Sequence, residues 1–322
     1  MSSKAAYHCE LIANQELMIQ EFNELRTKAP WIHLALASNP KLAFRLCKFY
    51  FRDIWVASAV VTSSNVKGIP ALLQAPLFPN VLFTLHPTKE LNPNTVLNEK
   101  AMNTALVGAL KKQKEKIQVL AFPTGVIDMQ PFYWEGYKTL VRYTHHLDLS
   151  LSEEELDHGL EGKLRTAIRK SEAQIRTLET KDIAKAILYI SNDKGLSGKQ
   201  QMQISDMLDK CSKHDSVRVL GAYKNGDLVG VGLFVDIADK RTYLLGGYNK
   251  ESSSNAGAAL LWHAIKEAKN NGLLTFDFEG SMIPSVERFF RRFGGILTPY
   301  YVIAKAPKAL EALLKVKMPE LF

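Results

Sequence analysis

Three apolar runs in the second half of the chain, separated by turn residues, constrain the fold more than any other feature. The runs cover residues 217–223, 228–237 and 241–248. Asn225-Gly226 lies between the first two, and Asn-Gly is a strong hairpin signal because both residues tolerate the positive φ angles of a tight turn. This spacing predicts a three-stranded antiparallel meander.

The stretch 273–301 follows the meander after one amphipathic helix, predicted over 256–271. Its first strand places Asp277 and Glu279 on one face and apolar side chains on the other, because side chains alternate along a strand. A turn at Gly280, a helix with phenylalanines at spacings of three and four, and a last strand come next. The pattern predicts a crossover that turns the meander into a mixed sheet covered by helices.

A capping box, Ser152 with Glu155, opens the helical region before the meander. Gly159 and Gly162 are expected to break this region into two helices, because glycine weakens a helix interior. Two more helices are predicted over 181–192 and 199–213.

The first half shows a similar but shorter order of elements. Helices are predicted over 15–28, 42–51 and 98–113. Strands are predicted over 54–62, 69–74, 117–122 and 137–149, and loops over 75–94 and 129–136. The α/β (α+β) fold class is therefore predicted, with tandem, mostly antiparallel mixed sheets flanked by helices. The predicted domains are 1–148 and 149–322.

Charge and cysteine content limit the function classes. The net charge of +8 is uneven, because residues 1–145 carry 16 Lys/Arg against 10 Asp/Glu and residues 146–322 carry 25 against 23. A mild positive bias suits an anionic ligand, and solubility alone explains it equally well. Three scattered cysteines support no disulfide framework, so a reducing cytoplasm is predicted. No apolar run has the length of a membrane span, and no signal peptide is predicted.

Motifs for metal or nucleophilic catalysis do not occur in the sequence. His145-His146 are neighbours on a predicted strand, so their side chains point to opposite faces and cannot share one ion. Neither a Gly-x-Ser-x-Gly elbow nor a phosphate-binding loop is present. We therefore expect no metal site and no tightly bound cofactor.

Three stretches resemble a known family. They are RYTHHLDLSLSEEELDHGLEGKLRTAIRKSEA, YLLGGYNKESSSNAGAALLWHAIKEAKNNG and FDFEGSMIPSVERFFRRFGGILTPYY. The second half resembles the acyltransferase domain of the GNAT (N-acetyltransferase) superfamily and, more closely, the Fem-type peptidoglycan-bridge aminoacyltransferases, which contain two such domains in tandem. The likeness covers about residues 132–304.

The resemblance implies a tandem GNAT-like fold, with a degenerate first domain, and transfer of an acyl or aminoacyl group to an amine. The acceptor would be a small molecule or a cell-wall or sugar-nucleotide precursor. The donor would be acyl-CoA or aminoacyl-tRNA, with tRNA as a partner in the second case. Two departures weaken the case for acetyl-CoA, because only Gly257 matches the CoA-binding loop and Phe290 stands where many acetyltransferases have a tyrosine acid.

The same resemblance implies a notch where the fourth and fifth strands diverge, beside Gly246 and Gly247. Backbone groups there would hold a chain-like substrate or the oxyanion of the reaction. Tyr248 and Ser281 are expected to line this cleft.

Charged residues supply the other candidates. Asp277 and Glu279 are the candidate general bases, close enough to raise one pKa, and a structural role in capping nearby amides is an equal alternative. Arg165 and Arg169 are either an anion clamp or a surface pair. Arg288, Arg291 and Arg292 are expected to bind phosphate or carboxylate groups, or to be solvated at a helix end.

Other classes of function remain open on the sequence. A catalytically silent module that binds a nucleotide- or lipid-linked ligand is the main alternative. General nucleic-acid binding rests on charge alone, and specific DNA binding is not predicted. The terminal helix in 308–322 is expected to dock on the second domain, with peripheral membrane contact as its alternative.

Overall fold

The computed structural model describes most of the 322-residue chain. The described residues are 6–12, 43–66, 68–74, 82–85, 98–180, 182–194, 198, 201–202, 205, 215–249, 255–280 and 282–317. They form two compact units. The first contains the described residues up to 142 together with 299–317, and the second contains those of 143–298.

The strands, in chain order, are β1 (Tyr7–Ile12), β2 (Ala43–Phe51), β3 (Ile54–Val66), β4 (Ile69–Gln74), β5 (Leu82–Leu85), β6 (Ile117–Ala121), β7 (Lys138–Asp148), β8 (Ile175–Glu179), β9 (Val217–Lys224), β10 (Asp227–Ile237), β11 (Lys240–Tyr248), β12 (Thr275–Asp277) and β13 (Ile296–Lys305). The helices are α1 (Glu99–Lys111), α2 (Gln130–Trp134), α3 (Glu153–Gly159), α4 (Gly162–Glu172), α5 (Ile183–Lys194), α6 (Ala256–Asn270), α7 (Pro284–Arg291) and α8 (Lys308–Lys317). No described helix has both the length and the apolar content needed to cross a bilayer.

The sheet of the first unit has the strand order β1-β2-β3-β4-β6-β13, with β5 on β3. All of these pairs are antiparallel except β4 with β6. One core packs side chains of α1, such as Leu106 and Leu110, with strand residues that include Phe49 and Leu120. This unit therefore has its own apolar core.

The sheet of the second unit has the order β7-β12-β11-β10-β9-β8. The meander β9-β10-β11 is antiparallel, and β12 joins it in parallel after the crossover helix α6. Leu260 and Ala264 of α6 are buried with Phe234, Phe276 and Phe278 of the sheet. Burial of these large apolar side chains is the main stabilisation that the sequence pattern provides.

Most predicted elements are found with shifted ends. The meander, the hairpin β3-β4, and helices α1, α5, α6 and α7 are confirmed, as is the break between α3 and α4. The capping box at α3 is present, with both Ser152 and Glu155 hydrogen bonds formed. The helix predicted over 15–28 lies outside the described residues, as does nearly all of that over 199–213.

Several predictions of secondary structure were wrong, including the loop predicted over 75–94, which contains strand β5. Residues 42–51 form strand β2 and not a helix. Leu46 and Cys47 are both buried there, and an apolar run covered on both faces cannot be told from a helix by its period. The loop predicted over 129–136 contains the short helix α2, and β8 was not predicted because it is a short edge strand with exposed side chains.

The predicted boundary between 148 and 149 stays a prediction. The two units divide within β7, between 142 and 143, and within β13, between 298 and 299. The last helix, α8, thus belongs to the first unit. Its Leu314 is buried there with residues of β6 and β13, and Glu311 forms an ion pair with Lys138.

Candidate functional site

Strands β11 and β12 separate within the second unit. Their parallel pairing runs only from Lys240/Thr275 to Thr242/Asp277, where β12 ends. Strand β11 continues to Tyr248, paired with β10 on its other side. Within the described part of the chain, Leu245, Gly246 and Gly247 have no strand partner on the β12 side, which is the notch that the resemblance predicted.

A cavity of about 300 Å³ lies at this notch. Strands β10 and β11 and the helices α6 and α7 supply its walls. The lining residues are Val231, Tyr243, Gly246, Gly247, Tyr248, Gly257, Leu260, Leu261, Ser285, Val286, Phe289 and Phe290. We call this cavity the notch pocket. Of the residues predicted to bind substrate, Gly246, Gly247 and Tyr248 lie in it.

The two glycines of the notch are places of close approach. A Cβ atom at Gly247 would lie 2.3 Å from the carbonyl oxygen of Tyr189, which belongs to α5. A Cβ atom at Gly246 would lie 2.0 Å from the Tyr243 hydroxyl and 2.8 Å from the carbonyl oxygen of Val231. Neither position has room for a side chain, so glycine is required there by packing.

Tyr243 is the functional candidate that the sequence reasoning missed. The register of β10 with β11 pairs Leu233 with Leu245 but Phe234 with Tyr243, so Leu244 is an extra residue in a β-bulge. The bulge places the Tyr243 hydroxyl against Gly246, whereas strict alternation puts these residues on opposite faces. The sequence carries no clear signal of this bulge.

The Tyr243 ring also contacts the aromatic wall of the pocket. It meets Phe290 edge to face, with 6.0 Å between ring centroids, and packs on Phe234 at 5.3 Å. Phe290 stands where many acetyltransferases have a tyrosine acid, and its ring lines the pocket. The phenolic hydroxyl beside Gly246 therefore comes from Tyr243 of β11, whereas α7 places the Phe290 ring in the pocket wall.

Asp277 lies in a charged cluster beside the end of β12. Its Oδ1 accepts hydrogen bonds from the Thr144 hydroxyl at 2.6 Å and from the backbone N–H of Glu279 at 2.9 Å. Its Oδ2 lies 2.9 Å from Lys240 Nζ and 3.2 Å from His146 Nε2. We call Thr144, His146, Lys240 and Asp277 the Asp277 cluster, and none of the four lines the notch pocket.

The contacts of Asp277 determine its ionisation. Burial opposes the charged form and by itself raises the pKa of this carboxyl, which is 3% exposed. The neighbouring His146, the Lys240 ammonium and the Thr144 hydroxyl outweigh burial, so the pKa of Asp277 lies well below its ordinary value. The expectation of a raised pKa was wrong for this residue, and a carboxylate with a low pKa is a weak base.

Glu279 does not continue the strand alternation. Strand β12 ends at Asp277, and Glu279 has a left-handed backbone with φ +66°. Its N–H is the amide that Asp277 caps. The amide-capping alternative thus describes the observed Asp277 contacts, while the role of either carboxylate as general base stays a prediction.

The predicted arginines are mostly paired with nearby carboxylates. Arg169 Nη2 lies 2.7 Å from Asp157 Oδ2, and Arg165 donates to the carbonyl oxygens of His158 and Leu160 at the end of α3.

On α7, Arg291 makes a two-atom contact with Glu287, Arg292 pairs with Glu161, and Arg288 is exposed. None of these arginines, and neither Arg165 nor Arg169, lines the notch pocket. Their roles in binding anions stay predictions.

A serine does line the pocket, but it is Ser285 in the first turn of α7. The predicted Ser281 lies outside the described residues. Gly257, which matched the CoA-binding pattern, lies in the first turn of α6 with its Cα facing the Tyr248 ring. The pocket is therefore bordered by the N-terminal turns of two helices.

Comparison with known families finds a similarity in the region that contains this pocket. Residues 159–291 match the family described as acetyltransferase (GNAT) domain. The matched range contains every residue that lines the notch pocket. Among curated proteins, no sequence matches the chain.

Solved structures share the fold at low sequence identity. The structure of FemX has a TM-score of 0.65 at 12% identity, covering 91% of this chain and 96% of that one. L-PGS from Bacillus licheniformis has a TM-score of 0.52 at 11% identity, covering 88% and 89%. A tandem GNAT protein from the clavulanic acid biosynthesis pathway has a TM-score of 0.50 at 12% identity, covering 94% and 99%. The predicted fold class is confirmed.

Proposed function

We propose that this protein, a Fem-type GNAT-like protein by fold, transfers an acyl group to an amine in the notch pocket. The observation that carries the proposal is the separation of two strands. Strand β12 ends at Asp277 while β11 continues, and the notch pocket lies beside the unpaired part of β11. Backbone amides of Leu245–Gly247 on that side can donate hydrogen bonds to an oxygen that becomes negatively charged. Such preorganised donors are the main stabilisation that acyl transfer needs.

The reaction proceeds through a tetrahedral intermediate. The amine nitrogen attacks the carbonyl carbon of the donor, and the carbonyl oxygen takes the negative charge. Collapse of the intermediate breaks the bond to the thiol sulfur or the ribose oxygen of the donor. The amine loses one proton and the leaving group gains one. A single side chain that gives up a proton and takes one back can therefore serve both steps.

Tyr243 is our candidate for that group. Its hydroxyl lies against Gly246, next to the amides that bind the oxyanion, and its ring lines the pocket. It donates its proton to the leaving group and regains one from the amine, directly or through water. Asp277 and Lys240 keep β7, β12 and β11 together beside the notch and do not touch the substrate in this scheme.

The donor is an acyl-CoA or an aminoacyl-tRNA. Gly257 at the start of α6 favours a phosphate-bearing donor that passes the positive end of this helix. The family of the matched domain is consistent with acyl-CoA. FemX and L-PGS share the fold only, so they do not choose between the donors.

The experiment measures acyl transfer by the full-length protein. Acyl-CoAs and aminoacyl-tRNAs are offered with amino acids, amino sugars and peptides as acceptors, and donor consumption that depends on the acceptor is recorded. We expect turnover with at least one pair, reduced at least about 100-fold by Tyr243→Phe. The matched control is Tyr133→Phe, the same change at an exposed tyrosine of the first unit.

A catalytically silent binding module is the second candidate. The observation in its favour is Phe290, which brings no hydroxyl to the pocket wall where many acetyltransferases carry a tyrosine acid. This candidate predicts saturable donor binding with no acyl transfer to any acceptor. Binding that is equal in the parent and in Tyr243→Phe, without turnover in either, would support it over the transferase.

A further inference from the structure

The described side chains that line the notch pocket include no acidic or basic group. Among the described residues, the lining contains aliphatic and aromatic side chains, three glycines and the hydroxyls of Tyr243, Tyr248 and Ser285, but no Asp, Glu, His, Lys or Arg. This contrasts with a chain in which 23% of residues are charged. Glu287, which follows the lining residue Val286, is paired with Arg291, and Arg288 is exposed.

We propose that the notch pocket selects an acyl group whose tail or side chain is uncharged and apolar, and rejects acyl groups whose tail or side chain carries an additional carboxylate or ammonium. This inference rests on the proposed acyl transfer and adds the class of acyl group that is transferred. The physical reason is desolvation. A charged group moved from water into an apolar site without a partner is strongly disfavoured, whereas an apolar group gains from the same transfer.

The positive ends of two helices do not reverse this preference. Gly257 is in the first turn of α6 and Ser285 in the first turn of α7, so an anion in the pocket has a favourable interaction with each. One helix N-terminus strengthens binding of a partly buried anion by about 30-fold at most. Loss of the hydration of a carboxylate without a cationic side chain weakens binding by more, about 1,000-fold.

The cavity volume also limits the size of the acyl group. A volume of about 300 Å³ corresponds to roughly ten non-hydrogen atoms, at about 30 Å³ for each water-sized group in a liquid. The walls at Phe289 and Phe290 are aromatic and packed against Phe278 and Phe293, so they have little freedom to yield. A branched or aromatic acyl group of five to nine carbons is thus within range of the pocket, by the same rough estimate.

The test compares donors of nearly equal shape. Isocaproyl-CoA and succinyl-CoA differ mainly in an isopropyl group that replaces a carboxylate, and leucine and aspartate esters of one tRNA differ in the same way. With full-length protein, we expect kcat/KM to be at least about 100-fold higher for the member of each pair that lacks the additional carboxylate. A ratio within about three-fold would overturn the inference while leaving acyl transfer intact.

Binding measurements separate this inference from the proposed function. Calorimetric titration with unreactive thioether analogues of the two acyl-CoAs gives the selectivity without any turnover. Preferential binding of the isocaproyl analogue supports the inference even where no donor is consumed, which would contradict only the transferase proposal. Equal affinity of the two analogues contradicts the inference.

A pair of variants at Val286 tests the physical cause. Val286 is partly buried in α7 and lines the pocket. Val286→Lys supplies a cation to pair with the succinyl carboxylate, and Val286→Met is the uncharged control of similar length. We expect the succinyl-to-isocaproyl affinity ratio to rise at least about ten-fold in the lysine variant relative to the methionine variant. Equal ratios in two folded variants would overturn the electrostatic explanation.

Discussion

The notch pocket and the Asp277 cluster lie beside the same two strands, but their chemistry is opposite. The pocket is lined by apolar side chains, glycines and hydroxyls. The cluster holds a buried carboxylate with a lysine, a histidine and a threonine around it. Sequence reasoning made the two carboxylates candidate general bases, with amide capping as an equal alternative, because buried charge is unusual. The cavity lies instead at the notch, where the described lining residues are uncharged.

The difference teaches that buried charge can serve to hold the fold together instead of marking a reaction site. At Asp277 every nearby group stabilises the ionised form, so the carboxylate is a poor proton acceptor and a good anchor for β7, β12 and the turn at Glu279. Arg241 shows the same use on β11, where it is fully buried and paired with Asp236 and Glu267. At both positions the charged groups hold strands or helices in place, and no described residue that lines the notch pocket is charged.

The largest expected effect is on catalysis by the pocket. Tyr243→Phe removes one hydroxyl from the notch and keeps the ring packing on Phe234 and Phe290. We expect kcat to fall about 100- to 1,000-fold with a change in unfolding free energy below about 1 kcal/mol. Acyl-transfer rates and urea denaturation of the same preparations check this. An unchanged kcat would remove Tyr243 from the mechanism.

The next effect is on stability and comes from the Asp277 cluster. Asp277→Asn leaves Lys240 without its carboxylate partner, and we expect unfolding free energy to fall by about 3 kcal/mol near pH 7. Because the proposed reaction does not use Asp277, kcat should stay within about three-fold of the parent enzyme. A loss of kcat above about 100-fold in a folded variant would instead support the predicted general base.

The same variant has an expected pH dependence. The folded-state pKa of Asp277 is lower than the unfolded value of about 3.9, so its contribution to stability is fully present above that pH. The contribution is lost as pH falls towards the folded pKa. We therefore expect the stability difference between parent and Asp277→Asn to be constant above about pH 5 and to shrink below about pH 4, measured by denaturation at each pH.

A smaller effect tests the wall of the pocket. Gly247→Ala places a Cβ atom 2.3 Å from a backbone oxygen of α5, so the helix or the strand must move. We expect a loss of about 2 kcal/mol of unfolding free energy. Gly257→Ala is the matched control, since its Cβ atom meets the Tyr248 ring at 3.4 Å and alanine favours a helix. Equal stability of the two variants would mean that close packing at Gly247 is unimportant.

The smallest effect is expected at Glu279. This residue is outside the pocket lining and has a left-handed backbone that glutamine adopts as readily as glutamate. Glu279→Gln should change unfolding free energy by less than about 0.5 kcal/mol and kcat by less than about two-fold. Steady-state rates across pH 6–9 check this, and a ten-fold loss would give Glu279 the role of base.

Much of the second unit could be predicted from local patterns. Asn225-Gly226 specified a hairpin, and Gly159 with Gly162 specified the break between α3 and α4, because turn and cap signals act within a few residues. The phenylalanines at 276 and 278 predicted a buried strand face for the same reason, and both are fully buried.

Features that depend on distant contacts were not predicted. Strand β2 looked helical because its burial on both faces comes from partners elsewhere in the sheet. The bulge at Leu244 depends on the register between β10 and β11, and it brings Tyr243 to Gly246. The partners of Asp277 come from β7 and β11, more than thirty residues away along the chain.

The sequence by itself determined the order of elements in the meander and crossover and the resemblance to GNAT proteins, which implied a notch beside Gly246 and Gly247. Alternation, turns and glycines are local properties, so they can be identified without coordinates. Only the tertiary structure decided that the pocket is uncharged and that Asp277 is ionised and enclosed. Burial, register and pKa depend on groups that folding brings together from distant parts of the chain.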